Sequence, residues 1–258
     1  MKTKLIDKLQ LTGKGVISII GAGGKTSLMF QLAKELENSG KSVLTTTTTK
    51  IFMPTLKQSP LTIIENSIDE LVKKSKGLLK SSFQFSAGQK YNPITEKLEG
   101  FTPDCIDKLW QTSLFDWIIV EADGARQKPI KATGSHEPAI PKVTTHLILV
   151  AGLDALDKPL DETFVHRAEI FSRNTGLPRG ETLDELSIAK CIAFEIKKAG
   201  HLAHSLSNSV LLNKADSPDQ IKSGEKIAKL LQTNKTIHRI ITASLIDKFP
   251  VKNSLTPK

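Results

Sequence analysis

The sequence predicts an α/β fold with a doubly wound, mostly parallel sheet. Three observations point there. Short β-branched apolar runs alternate with segments of helical period along most of the 258 residues. The first two runs flank a single helix at the spacing of a βαβ unit. A glycine cluster sits where the first run passes into that helix.

Val16-Ile17-Ser18-Ile19-Ile20 reads as the first strand. Ser27 to Leu36 follows as a helix, its apolar positions Leu28, Met29, Leu32, Ala33 and Leu36 recurring at helical spacing. Asn38-Ser39-Gly40 stops it, and Ser42 to Thr46 forms the second strand. Further strands are expected over 61–64, 117–121, 146–150, 209–212 and 236–241, with helices near 67–76, 103–113, 183–199 and 218–232. Between 77 and 101 the pattern weakens, which reads as a small insertion with a strand over 81–88. Pro129, Pro138 and Pro141 mark a long loop over 124–145, and long loops in compact domains often carry function. No solenoid period is present. Length permits one large domain or a domain with a small appendage, and residues 1–258 are read as one α/β domain.

Composition narrows the function classes. Hydrophobic residues make up 39% and charged residues 24%, and no apolar run approaches the ~18 residues of a membrane span, so a soluble protein is expected. The Met1 to Lys8 segment is basic but lacks a following apolar signal core. Cys105 and Cys191 are too few for a disulfide framework, and a reducing cytoplasm is the simplest compartment. Thirty-six basic against twenty-seven acidic residues give a net charge of +9, which favours anionic partners. The basic residues are dispersed, and two Trp and one Tyr offer little base stacking, which weighs against a dedicated nucleic-acid binder.

The glycine cluster, Gly21-Ala22-Gly23-Gly24-Lys25-Thr26-Ser27, supplies each part of a phosphate-binding loop. Glycines let backbone N–H groups converge on phosphate oxygens, Lys25 neutralises β/γ-phosphate charge, and the Thr26 hydroxyl can ligate Mg²⁺. The helix that begins near Lys25 adds its N-terminal dipole. The fold expected is therefore the three-layer P-loop nucleotide-binding architecture, with ATP or GTP and Mg²⁺ as cofactors. The loop is shorter than G-x-x-x-x-G-K-[ST], which would require glycine where Ile19 stands. A glycine-rich turn that binds nothing is the bland alternative.

Phe115 to Gly124 reads as a buried strand ending in two carboxylates, Glu121 and Asp123. Ligands of open α/β sheets sit at the carboxyl ends of strands, and Mg²⁺ is commonly shared between carboxylates and substrate phosphates. Glu121 and Asp123 are thus candidate metal residues with Thr26, and Asp123 joins Lys25 as a catalytic candidate. An ordinary strand-ending turn at Asp123-Gly124 is the alternative. Arg126, Lys128 and Lys131 follow on the long loop. They could clamp a second anionic substrate or stabilise transition-state charge, and Arg126 is the catalytic candidate among them. Asn213-Lys214-Ala215-Asp216 matches N-K-x-D, in which a carboxylate would accept the paired donors of guanine, so Asn213 and Asp216 are candidate base contacts. A polar turn after a strand produces the same letters, and the choice between ATP and GTP stays open.

Five blocks carry a family resemblance: Gly21 to Ser27; Thr46-Thr47-Thr48-Thr49-Lys50-Ile51; Val120-Glu121-Ala122-Asp123-Gly124-Ala125-Arg126 with Pro129-Ile130-Lys131; His136-Glu137-Pro138-Ala139-Ile140-Pro141; and His166-Arg167-Ala168-Glu169. In them the sequence resembles the YqeC family of selenium-dependent hydroxylase accessory proteins. The resemblance implies a P-loop protein linked to maturation of molybdenum hydroxylases, with a maturation partner or second substrate not identified. It also draws Thr48, Thr49 and Lys50 towards the nucleotide. By residue type, His136 and Glu137, with His166 and Arg167, are acid/base or substrate-contact candidates, a structural role for the loop histidines being the alternative. Three function classes remain. One is Mg²⁺-dependent NTP hydrolysis or phosphoryl transfer; another is a nucleotide-gated binding or cofactor-delivery protein with negligible intrinsic turnover; the third, suggested by the short loop, is a ligase-like use of ATP to activate an acid.

Overall fold

The computed structural model describes residues 4–80, 82–200, 202 and 207–257. Ser81, the first residue of the strand expected over 81–88, and Met1 to Thr3 lie outside them. The elements in chain order are α1 (Leu5–Lys8), β1 (Gly15–Gly21), α2 (Lys25–Glu37), β2 (Val43–Thr47), β3 (Lys50–Phe52), β4 (Thr62–Ile64), α3 (Ile68–Leu78), β5 (Gln84–Gly88), β6 (Lys90–Asn92), β7 (Lys97–Glu99) and α4 (Pro103–Gln111). They continue with β8 (Trp117–Glu121), β9 (Ile130–Lys131), β10 (His146–Gly152), β11 (Val165–His166), α5 (Ala168–Thr175), α6 (Glu185–Gly200), β12 (Ser207–Asn213), α7 (Pro218–Leu231), β13 (Arg239–Ala243) and β14 (Val251–Leu255).

Among the described residues, nine strands form one sheet in the order β14-β13-β12-β10-β1-β8-β2-β5-β4. Every pairing is parallel except that of β14 with β13. The central strands are buried on both faces, which is why they read as continuous apolar runs. Alternation along them divides two cores. Ile17, Ile19, Trp117, Ile119, Ile148 and Val150 face the layer of α1 and α2, against Leu5, Leu28, Met29 and Leu32. Val16, Ile20, Ile118, Val120, Leu147 and Leu149 face the opposite layer, against Leu109 of α4, Ile192 of α6 and Ile227 of α7. The architecture is the three-layer α/β one that the sequence predicts.

Helix starts follow local chemistry. Ser67, Thr102 and Ser217 cap α3, α4 and α7 by accepting backbone N–H bonds, with Pro at the first helical turn of the last two. Departures from the sequence expectation have physical reasons. The region 77–101 places β5 beside β2 in the main sheet, and the β6–β7 hairpin pairs with β3 in a small separate sheet. These three-residue strands are too short to display a period. The last parallel strand begins at Arg239 rather than 236, and β14, largely solvent-facing, has apolar residues only at its ends. No helix among the described residues is long and apolar enough to cross a membrane.

Phe85 of β5 is fully buried and packs edge-on against Phe115, with ring centroids 5.6 Å apart. Phe85→Ala should therefore destabilise the fold by about 3–5 kcal/mol in equilibrium urea unfolding. A loss below about 1 kcal/mol would mean that β5 is not anchored in this core.

Candidate functional site

The loop between β1 and α2 lies flush on the carboxyl ends of two other strands. Gly21 has φ +92°, and a Cβ there would stand 2.2 Å from the Val150 carbonyl of β10. Gly24 has φ +130°, and a Cβ there would stand 2.2 Å from Asn213 Nδ2 at the end of β12. Only glycine meets both demands. Gly24 is also the N-cap of α2, and no side chain among the described residues caps this helix. Its first-turn N–H groups are thus left for an anion, together with the positive end of the helix dipole.

Lys25 opens α2, yet its side chain is only 4% exposed. Nζ donates to the Gly21 carbonyl at 2.8 Å and lies 3.1 Å from Asp123 Oδ1 and 3.6 Å from Glu121 Oε1. Burial alone would favour the neutral amine, but the two carboxylates outweigh it and hold the Lys25 pKa above its ordinary value. For Glu121 burial wins, raising its pKa against the opposing pull of Lys25 and of the Thr26 hydroxyl.

The two carboxylates at the end of β8 occupy different positions. Glu121 lines a cavity of about 540 Å³ in front of the loop, where its Oε2 accepts the Thr26 hydroxyl at 2.7 Å. Asp123 lies behind the loop, fully buried, and is not in the cavity wall. Its Oδ2 accepts the Gly21 N–H at 3.0 Å and faces Lys131 Nζ at 3.1 Å. Lys131 in turn bonds Glu137 Oε2 at 2.8 Å and the Gly124 carbonyl at 2.6 Å, and Arg167 reaches the same Glu137 oxygen at 2.6 Å. Charges therefore alternate from Lys25 through Asp123, Lys131 and Glu137 to Arg167. Burial works against Glu137, but hydrogen bonds and charge from Arg167 and Lys131 prevail and lower its pKa to about 2.

The cavity joins several of the residues expected from sequence. Gly23, Gly24, Lys25, Thr26 and Ser27 form one side, and Thr49, Lys50 and Arg126 line it with Lys128. Lys50 is also paired with Glu99 at 2.7 Å. Arg126 and Gln127 are consecutive non-glycine residues with φ +48° and +60°, a backbone strain of the kind that collects at ligand sites. Thr48 lies outside the cavity lining and donates its hydroxyl to the Ala139 carbonyl at 2.7 Å, joining the end of β2 to the long loop. Gly21 and Ala22 form the back of the loop, outside that lining. Asn213 and Asp216 are also outside it, although Asn213 donates to the Gly23 carbonyl at 2.7 Å. His136 is exposed, while half-buried His166 has its pKa lowered by burial and by the Arg167 and Lys131 charges.

Residues not singled out from sequence also form this site. Phe52 and Lys97 line the cavity from the small sheet, with Lys97 Nζ 5.4 Å from the Phe52 ring centroid. Asp154 holds Lys214 at 2.6 Å. Their strands are short or their spacing ordinary, so no local pattern marks them.

Residues 17–169 match the family model described as YqeC protein. Over 168 residues the chain is 41% identical to "Uncharacterized protein YqeC" of Escherichia coli (strain K12), a match covering 65% of this chain and 63% of that protein's length. Among solved structures it is similar to the MinC:MinD cell division protein complex of Aquifex aeolicus, at 13% identity and a TM-score of 0.49 over 88% of this chain and 81% of that one. It is also similar to the signal recognition particle receptor FtsY of Elizabethkingia anophelis, at 12% identity and a TM-score of 0.41 over 93% and 61%. The family span contains the loop, both carboxylates, Lys131, Glu137 and Arg167, and ends before Asn213.

The lowered pKa of Glu137 makes stability depend on acid. Its carboxylate contributes fully above the ordinary value of 4.5, and that contribution is lost as pH falls from there towards about 2. Glu137→Gln should cost up to roughly 3 kcal/mol at pH 7 in chemical unfolding, and the gap to wild type should narrow steadily below pH ~4.5. A gap independent of pH would show that the Lys131–Glu137–Arg167 contacts do not hold the carboxylate ionised.

Proposed function

The chain belongs to the YqeC family, and we propose that it binds a nucleoside triphosphate with Mg²⁺ and hydrolyses it or transfers its phosphoryl group. One observation carries the reading. A buried ammonium, Lys25, stands at the uncapped N-terminus of α2, beside a hydroxyl and a carboxylate that share a hydrogen bond at the cavity edge.

In this reading the loop N–H groups and Lys25 hold the β/γ-phosphates, which compete with the Gly21 carbonyl and Asp123 for the ammonium. Thr26 and Glu121 fit Mg²⁺, which takes oxygen ligands and is usually shared between one or two protein groups and phosphate oxygens. The ion, when bound, neutralises charge on the phosphates. Asp123 fixes the loop through the Gly21 N–H and balances Lys25 from behind, a positioning role. Arg126 at the cavity wall is placed to meet charge on the transferring group.

Lys97, Arg126 and Lys128 bring positive charge to the remaining wall, beside Lys50, which Glu99 pairs, and Glu137, which Lys131 and Arg167 balance, and this supports an anionic second substrate. The family resemblance supports placing that substrate, or a partner, in the maturation of molybdenum hydroxylases. We place this work in the cytoplasm, where Cys105 and Cys191, both free, would remain thiols. A second reading is a nucleotide-gated binding protein with little turnover of its own. The alternating charges from Lys25 to Arg167 favour it, because they connect the phosphate loop to the 124–145 segment, which could then respond to nucleotide state.

Thermal unfolding with Mg²⁺ and nucleoside triphosphates tests the binding step, and phosphate release tests turnover. Saturating nucleotide at about 100 times Kd should stabilise wild type by roughly 2.7 kcal/mol. Lys25→Ala should weaken binding about 10- to 100-fold, the equivalent of one charged hydrogen bond, and abolish phosphate release. That variant takes Lys25 from two buried carboxylates, leaving Asp123 with Lys131 alone, so Thr26→Ala provides a milder check: Mg²⁺ should no longer strengthen binding. A flat response of wild type to every nucleotide would refute the proposal.

A further inference from the structure

Beside the phosphate loop, the structure builds a second feature that the phosphate chemistry does not use. β12 ends at Asn213, two strand positions from β1 and so about 10 Å away at ordinary strand spacing. Asn213 spans that gap. Its Nδ2 donates to the Gly23 carbonyl at 2.7 Å, and its Oδ1 accepts the Leu245 N–H at 3.2 Å. The phosphate loop, the end of β12 and the segment after β13 are therefore held in one register.

Asp216 lies three residues further on. Fully buried Ser244 donates its hydroxyl to Asp216 Oδ1 at 2.6 Å, which fixes the orientation of the carboxylate. Oδ2 makes no hydrogen bond among the described residues, and the residue is exposed. The carboxylate is not needed to start α7, because Ser217 caps that helix and Gln220 accepts the N–H groups of both Asp216 and Ser217. Between Asn213 and Asp216, Lys214 adopts φ +63° and lines the cavity alongside Gly23 and Gly24, its ammonium held by Asp154 at 2.6 Å. Pinning the ammonium leaves the aliphatic stem as a surface on which a flat ring can lie.

We infer that this corner is a nucleobase site and that it selects guanine. The inference rests on the phosphate-loop reading above. A fixed, outward carboxylate offers two acceptors side by side, and guanine presents two donors side by side, its N1–H and exocyclic amine. Adenine presents an acceptor, N1, beside its amine, so the same carboxylate would face a lone pair and remain partly unpaired. The ribose and α-phosphate of a nucleotide whose β-phosphate sits on the loop then bridge the space between the two sites.

The test is isothermal titration of the 258-residue chain with the diphosphates of guanosine, adenosine and xanthosine, each with Mg²⁺. Wild type should bind GDP at least roughly 100-fold tighter than ADP. Asp216→Asn should reverse the choice, losing GDP and gaining the xanthosine nucleotide, because the new amide donates to the xanthine 2-oxygen. That gain also certifies a folded variant. Three outcomes overturn the guanine site while leaving the phosphate loop intact: ADP binding as tightly as GDP, unchanged GDP affinity in the variant, or loss of GDP without the xanthosine gain. Failure of all three diphosphates to bind wild type would overturn the phosphate-loop reading and the guanine site with it.

Discussion

The Lys25 ammonium is the constraint on which the site depends. An ammonium excluded from water needs oxygens around it, and here they come from the end of β1, through the Gly21 carbonyl, and from the end of β8, through Asp123 and Glu121. Satisfying one cation thus fixes the loop, the first turn of α2 and two adjacent strand ends together. Such a pair is weak evidence for stability, since desolvation offsets much of its attraction. Its consequence is geometric: the loop is held in shape, and the cation that holds it is also the group best suited to meet phosphate.

Asp123 cannot balance Lys25 alone, because its other oxygen would be buried and unpaired. That oxygen takes the Gly21 N–H and Lys131, and the excess passes outward through Glu137 to Arg167 at the partly exposed edge. The long loop over 124–145 is consequently part of the electrostatics of the proposed phosphate site. The strained Arg126–Gln127 turn sits between Asp123 and Lys131 on this path and points the loop's cations at the cavity.

Much of this was legible in the sequence, and the boundary has a physical basis. The turn over Gly21 to Thr26 could be read because a glycine cluster at fixed local spacing sits between an apolar run and a helical period. The apolar run ending at Glu121 and Asp123 could be read because carboxylates in a buried strand demand partners. Their division of labour could not: Glu121 in the cavity wall and Asp123 behind the loop is set by the pairing of β8 with β1, which is non-local. The same holds for Asn213 on Gly23 and for Ser244 on Asp216, contacts that join residues 190 and 28 positions apart. The small sheet bearing Phe52 and Lys97 was illegible for another reason, since three-residue strands carry no period.

In the proposed complex, Lys25 exchanges protein oxygens for phosphate oxygens. A crystal structure with Mg²⁺ and a non-hydrolysable nucleoside triphosphate examines that exchange directly. Phosphates are expected on the N–H groups of Gly23 to Thr26, with Lys25 Nζ moved off the Gly21 carbonyl onto a phosphate oxygen. Saturating nucleotide bound elsewhere, with Lys25 still on the Gly21 carbonyl and Asp123, would contradict it.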